Sequence, residues 1–260
     1  MIDLSNKTAF VTGASRGIGE AAARKLAEYG ANVVLCARSV DDINRIAGEI
    51  GPKALAVRCD VASYDQVKAA VEQTQEHFGG LDILVNNAGM IDPISRIEDS
   101  DPRQWDLVVD VNVKGVYHCM HAAYPLLKKS AQKNTDPQNS GSVIINISSG
   151  AAAGALEGWS HYCATKAAVA SLTRCGHKEW AAEGIRTIGL SPGTVVTGMQ
   201  TSIRASNMNP VSQLDWSVHI SPEWVGEAIA WLTTDAARAF DGSDFSIKTD
   251  EGRRLVGLIE

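Results

Sequence analysis

The chain has 260 residues, 45% hydrophobic and 21% charged, and a net charge of −6. That balance suits a water-soluble domain with a sizeable core. It argues against a basic nucleic-acid surface, and no apolar run approaches the ~20 residues that cross a bilayer. Five cysteines, at 36, 59, 119, 163 and 175, show no CxxC spacing, and the opening MIDLSNK lacks the apolar centre of a secretion signal. Reduced thiols and a cytoplasmic location are expected.

In chain order, the strand-like run KTAFVT (7–12) is followed by a helix-like stretch near 17–29, then NVVLCA (32–37) by one near 40–50. KALAVR (53–58) precedes a helical pattern over 63–78, and LDILVN (81–86) a long one over 103–129. SVIINI (142–147) leads into 160–183, IRTIGL (185–190) into 222–234, and FSI (245–247) is a weaker last strand. The polar stretch KKSAQKNTDPQNSG (128–141) reads as a surface loop. The central strands are apolar on both faces, as strands covered by helices on both sides must be. Strand and helix in alternation give a parallel sheet with right-handed crossovers. No linker or composition break divides the sequence, so residues 1–260 are expected to form one domain.

Two features point to chemistry. TGASRGIG (12–19) places Gly13, Gly17 and Gly19 between a strand and a helix, beside Ser15, Arg16 and Ile18. Such a turn lets the backbone approach a pyrophosphate at a helix N-terminus, although glycines at this spacing also serve as a plain tight turn. HYCATK (161–166) sets Tyr162 four residues before Lys166. The same spacing recurs at Tyr64 and Lys68 and at Tyr124 and Lys128, so the pattern does not by itself identify an active pair.

Together with NNAG (Asn86 to Gly89), Ser149 thirteen residues before Tyr162, and Pro192, Gly193 and Thr197, these motifs resemble the short-chain dehydrogenase/reductase family over about residues 5–247. The resemblance implies a Rossmann-type doubly wound parallel sheet of about seven strands in the order 3-2-1-4-5-6-7, helices on both faces, and a bound nicotinamide dinucleotide. Ligands then lie beyond the carboxyl ends of the strands. Only Tyr162 and Lys166 begin a helix at that end beside the expected nicotinamide; the other two pairs fall elsewhere.

Asn112, Ser149, Tyr162 and Lys166 match the family's four catalytic positions. Tyr162 would exchange a proton with the substrate oxygen, and Ser149 would hold that oxygen as charge gathers on it. Lowering a tyrosine from about 10 to about 7 takes roughly 4 kcal/mol, which one ammonium at ~4 Å supplies at an effective dielectric of ~20. Lys166, helped by the positive nicotinamide ring of the oxidised cofactor, is expected to do this. Asn112 would support a proton path through its backbone carbonyl; inside a helix it equally suits a packing or kink position. Asn87, Ala88, Gly89, Pro192, Gly193, Val195 and Thr197 are implied as cofactor contacts.

Arg38 ends the second strand where the family's NAD users usually carry Asp, and Arg16 is a second cation nearby, so NADP(H) is the expected cofactor. Asp60 and Val61 resemble the adenine contact, with a helix cap as the other reading of Asp60. The stretch 198–220 is expected to form a largely apolar lid over a neutral carbonyl substrate, with Met199 and Trp159 as walls and Gly198 as a hinge. A ketone reductase follows. Two alternatives stand beside it: a 3-oxoacyl-thioester reductase acting on a carrier protein, and a catalytically silent NADPH sensor or scaffold. Glu183 stands where the carrier-dependent enzymes often carry Arg, and would repel an acidic carrier. His118 and His121 are three apart on a helix but lack a third ligand, so no metal is expected. His161, beside Tyr162, is a wall or packing residue. Trp105, Trp180, Trp224 and Trp231 read as core or interface. Leu255, Val256, Leu258 and Ile259 in the tail are expected to meet a neighbouring subunit, in keeping with the family's dimers and tetramers.

Overall fold

A computed structural model describes residues 2–133 and 141–260. Seven parallel strands form one sheet in the order β3-β2-β1-β4-β5-β6-β7. They are β1 (Thr8–Thr12), β2 (Asn32–Ala37), β3 (Ala54–Arg58), β4 (Ile83–Asn86), β5 (Ser142–Ile147), β6 (Ile185–Ser191) and β7 (Asp244–Ser246). Between them run α1 (Gly17–Glu28), α2 (Val40–Ile50), α3 (Tyr64–Phe78), α4 (Pro102–Val109), α5 (Gly115–Lys133), α6 (Ser160–Trp180), α7 (Gly198–Ser206), α8 (Pro222–Leu232) and, at the end, α9 (Asp250–Val256).

The alternation of side chains along each strand divides the core in two. Val11, Val33 and Ile145 face α1, α2 and α8, where Leu26, Ile43, Ile46 and Ile229 are fully buried. Phe10, Val34, Leu84 and Ile144 face the other way, against Val67, Met120, Leu127 and Val169 of α3, α5 and α6. This two-sided burial is why the strands read as continuous apolar runs. A third, smaller cluster of Ile91, Ala151, Trp159, Tyr162 and Ile203 lies apart from both.

One polar chain crosses the second core layer. The Asn86 side-chain amide donates to Asn146 Oδ1 at 2.8 Å, and the Asn146 amide donates to Thr173 Oγ1 at 2.9 Å. It ties β4 to β5 and β5 to α6, the three elements whose ends carry Gly89, Ser149 and Lys166.

The helix expected over 103–129 is divided. A π-helical turn, Asp110–Lys114, separates α4 from α5 and contains Asn112. Of the stretch read as a loop, residues 128–133 continue α5 instead, because a polar sequence on an exposed helix face satisfies its backbone as well as a loop does; residues 134–140 lie outside the described part. The helix expected to 183 closes with a 3-10 turn, Ala181–Glu183, and the helix expected to 234 ends at Leu232. The tail forms α9, with Thr249 as its cap, and packs Val256 and Leu258 onto the chain's own core; Leu255 is exposed.

Replacing Asn146 by Ala strands a buried amide on one side and a hydroxyl on the other. The expected cost is about 2 kcal/mol, read as a lowered urea midpoint with an unchanged slope.

Candidate active site

The first turn of the site is built by close approach. Gly13 and Gly17 hold φ of +63° and +56°, and a Cβ on Gly19 would come within 2.2 Å of the Gly13 carbonyl oxygen. Arg16 caps α1 with extended backbone and no side-chain bond to the helix, so the first N–H groups of α1 stay available to an anion. The turn after β4 is bolted to this one. The Asn87 amide donates to the Thr12 and Gly13 carbonyls at 2.9 and 3.2 Å, and the backbone N–H groups of Asn87 and Ala88 both donate to Thr12 Oγ1 at 3.0 Å. Thr12 and Asn86 open two of the motifs without being marked as contacts, and Asn146 lies outside them all; their work is to hold other turns.

These turns border one cavity of about 1210 Å³ at the carboxyl ends of the strands. Its wall includes Gly13, Ser15, Arg16, Gly17 and Ile18 from the first turn, and Arg38, Asp60 and Val61 from the ends of β2 and β3. Asn87, Ala88 and Gly89 follow β4, and Pro192, Gly193, Val195 and Thr197 follow β6. Ser149, Trp159, Tyr162, Lys166 and Met199 complete it. Two of the residues singled out in the sequence stand behind the wall: Gly19, packed on Gly13 and Asn87, and Asn112.

Asn112 is 1% exposed, and its side chain is fully used. Its Oδ1 accepts from the Met90 N–H at 2.9 Å; its amide donates to the Met90 carbonyl at 2.8 Å and to Thr165 Oγ1 at 3.1 Å. Its side chain thus clamps the turn after β4, and the residue sits in a π turn of the kind that interrupts helices at functional sites. Asp60 caps no helix. Its Oδ1 accepts from Ala62 N at 3.0 Å, its Oδ2 lies 4.0 Å from Arg38 Nη1, and the cap of α3 is Ser63.

Tyr162 and Lys166 sit one turn apart at the start of α6, 8% and 7% exposed. The Lys166 ammonium donates to the Ile147 carbonyl at 2.7 Å and lies 5.6 Å from the centre of the Tyr162 ring. Trp159 stands edge-on to that ring with centroids 5.6 Å apart. Burial pushes the Tyr162 hydroxyl up to about 12, and its hydrogen bond with Ser149 pulls the other way. Ser149 also caps the 3-10 turn Gly150–Ala152 by accepting from Ala151 N at 3.2 Å. Burial lowers Lys166 to about 8, and the charge of Asp244 raises it. The expected acidification of Tyr162 by its lysine is therefore not present in the chain alone. Loss of hydration outweighs an ammonium that is held on a carbonyl oxygen.

The other two pairs are engaged elsewhere. The Tyr124 hydroxyl and the Lys128 ammonium both donate to Glu183, at 2.7 and 3.0 Å. Tyr64 bonds His121 at 2.9 Å, and Lys68 lies 3.9 Å from Glu72. His118 Nδ1 pairs with the Val61 carbonyl, and buried His161 with the Ile91 carbonyl. Among the described residues no group of three His, Cys, Asp or Glu is arranged to hold a metal.

A glycine turn at a free helix start, and a half-buried Ser149 beside the buried Tyr162 and Lys166 across the same cavity, fit a dinucleotide and a carbonyl together. The short chain dehydrogenase family matches residues 7–208. The chain belongs to that family. It is 37% identical over 251 residues to cis-4-hydroxycyclohexanecarboxylate dehydrogenase of Sinomonas cyclohexanicum, covering 94% of this chain and 95% of that one. It is 34% identical over 248 residues to the 3-oxoacyl-acyl-carrier-protein reductase FabG of Staphylococcus aureus, covering 93% and 96%. Among solved structures, the 3-ketoacyl-acyl-carrier-protein reductase of Brucella melitensis complexed with NADH superposes with a TM-score of 0.82 at 33% identity, covering 94% and 98%. The chain is accordingly an oxidoreductase that uses a nicotinamide cofactor on a CH–OH or carbonyl group, and no helix among its described residues is long and apolar enough to cross a membrane.

Two outcomes follow from the pair at the start of α6. Tyr162→Phe should reduce turnover at least ~100-fold, the usual worth of a positioned acid, while fluorescence titration shows the dinucleotide still binding. In the wild type, carbonyl reduction should hold its rate at neutral pH and fall as pH rises through about 8, where the lowered Lys166 loses its charge.

Proposed function

We propose that the chain is an NADP(H)-dependent reductase of neutral, medium-sized ketones, with the whole chain acting as one dinucleotide-binding and catalytic domain. The observation that carries this reading is the state of Tyr162. Its hydroxyl is buried, bonded to Ser149 and raised to about 12, so at neutral pH it holds its proton. A protonated phenol is the acid that reduction needs; oxidation would need the phenolate, which burial disfavours.

The bound nicotinamide supplies the hydride. The chain does the rest. The glycine turn and the start of α1 take the diphosphate, and Asn87 to Gly89 with Pro192 to Thr197 hold the remainder. Ser149 donates to the carbonyl oxygen and orients it toward the Tyr162 hydroxyl. Tyr162 releases its proton to that oxygen as negative charge develops there. The phenolate left behind is stabilised by the Lys166 ammonium, which Ile147 steadies; Asn112 braces the adjoining turn.

NADP(H) is favoured by two guanidinium groups, Arg16 and Arg38, on the cavity wall beside the ends of β2 and β3. Both are exposed, and their planar forks suit a phosphate. Asp60 is the nearest acid to Arg38 and leaves it mostly open to solvent. The Brucella melitensis relative was seen with NADH, so the preference rests on these arginines. The substrate end is apolar: Met199, Ile203, Val211 and Leu214 from 198–220 face Leu156 and Trp159. In this reading that segment is the lid, with Gly198 at its hinge. The Sinomonas cyclohexanicum relative is named for a ring alcohol that also carries a carboxylate, so it supports a cyclic ketone here but not its neutrality.

The carrier-dependent reading is favoured by two of the relatives by name. Glu183 does not oppose it as the sequence suggested. It lies at the start of β6, on the order of 20 Å along the strand from the cavity, and its charge is met by Lys128. We further propose a cytoplasmic homodimer or homotetramer, with a small-molecule substrate and neither a membrane nor a nucleic-acid partner.

NADPH and NADH oxidation should be followed with cyclic ketones, diketones and 3-oxoacyl thioesters. The reading expects consumption of NADPH with a ketone, and Arg38→Asp should raise the KM for NADPH at least ~10-fold while leaving that for NADH within about twofold, the scale of one charge-assisted contact. Preference for NADH in the wild type would overturn the cofactor assignment. Tight NADPH binding without turnover across the panel would overturn the enzyme and leave a sensor.

A further inference from the structure

β7 lies at the edge of the sheet, next to β6, and opens with Asp244. Its carboxylate does not stay on its own strand. A Cβ placed on Gly189 of β6 would fall 1.6 Å from Asp244 Oδ1, so the side chain crosses β6 through the gap that this glycine leaves. Beyond it the carboxylate meets β5: the Ser148 hydroxyl, on a residue 2% exposed, donates to Asp244 Oδ2 at 2.7 Å.

Ser148 is the middle of three consecutive residues, each holding part of the site. The Ile147 carbonyl accepts from the Lys166 ammonium, Ser148 donates to Asp244, and Ser149 bonds Tyr162. Lys166 is packed by Tyr162 of its own helix, by the Ile147 carbonyl, and by the turn after β4, where Gly89 and neutral Asn112 are the neighbours. Cys163 adjoins Tyr162, and Lys248 lies further along the cavity wall. Among the described residues, the Asp244 carboxylate is the charged group whose field acts on Lys166.

We propose that Asp244 is a positioning residue of this active site: it pins the end of β5 through Ser148, and its negative charge balances the buried ammonium of Lys166. It touches neither substrate nor cofactor. Asp244 is an exposed residue at the sheet edge, and its side chain reaches inward through the Gly189 gap. This inference rests on the Tyr162–Lys166 reading above, but not on the identity of the substrate.

The sign follows from the charges. A carboxylate favours the charged lysine, so its removal must let Lys166 lose its proton at lower pH. The test is a 13C NMR titration of lysine Cε carbons in the free protein, with Lys166 assigned by the resonance missing from Lys166→Met. Asp244→Asn keeps an acceptor for Ser148 and removes the charge; Asp244→Thr removes the charge with a smaller side chain, should the first variant fail to fold. Ser148→Ala keeps the charge and removes the hydrogen bond. The expected result is a Lys166 midpoint lower by at least ~0.5 pH unit in either Asp244 variant, with Ser148→Ala near the wild type. The alkaline limb of carbonyl reduction should move down by the same amount. Asp244 variants that titrate with the wild type, or a Ser148→Ala shift as large as theirs, would overturn the proposal. The NMR titration needs no substrate, so an inactive panel would count against the proposed reaction and not against this role.

Discussion

An ammonium has been taken out of water at the end of β5 and left with one carbonyl oxygen, that of Ile147, at 2.7 Å. Burial of a charge is costly unless it is paired, and the rest of the site can be understood as what makes this burial tolerable and useful. Tyr162 is placed one helical turn away, with its ring centre 5.6 Å from the ammonium. Ser149 comes from the same strand end, so the carbonyl that steadies Lys166 and the hydroxyl proposed to hold the substrate oxygen lie two residues apart on one element. The chain of Asn86, Asn146 and Thr173 keeps β4, β5 and α6 in register beneath them.

The order of events also follows from this burial. A phenol raised to about 12 beside an ammonium lowered to about 8 is a pair that resists making charge of either sign. In the proposed reaction the phenol gives up its proton as an anion forms within reach, on the oxygen of a carbonyl receiving hydride. Spacing suggests a larger task for the lysine, bringing tyrosine to neutral pH with help from an oxidised nicotinamide ring. At ~4 Å and an effective dielectric of ~20 the attraction is large enough, but the hydration lost by the phenolate opposes it and cannot be read from spacing.

Much of the fold was legible because the strands are apolar on both faces and the helices keep a 3.6-residue period. NVVLCA and SVIINI are strands to the residue, and 40–50 is a helix to the residue. The misreadings have local causes. The π turn at Asn112 leaves no compositional mark, because a bulge of one residue shifts a period without changing residue types. The polar end of α5 looks like loop in a sequence that does not show which face is wet. The tail's apolar content suggests contact with a neighbouring subunit, and two of its residues, Val256 and Leu258, pack partly on the chain's own core.

The site was legible wherever glycine spacing or residue order carries the signal, as in Gly13 to Gly19 or Ser149 to Lys166. Its supports were not. Thr12, Thr165 and Asp244 act through turns and strands distant in sequence, and only the folded sheet brings Asp244 to Ser148, 96 residues away. The central claim is that Tyr162 and Lys166 face the reactive ring of a dinucleotide laid along this cavity. A crystal structure of the chain with NADPH tests it most directly. The account expects the nicotinamide C4 beside the Tyr162 hydroxyl and the 2′-phosphate between Arg16 and Arg38; a ring bound away from Tyr162, or a phosphate facing neither arginine, would contradict it.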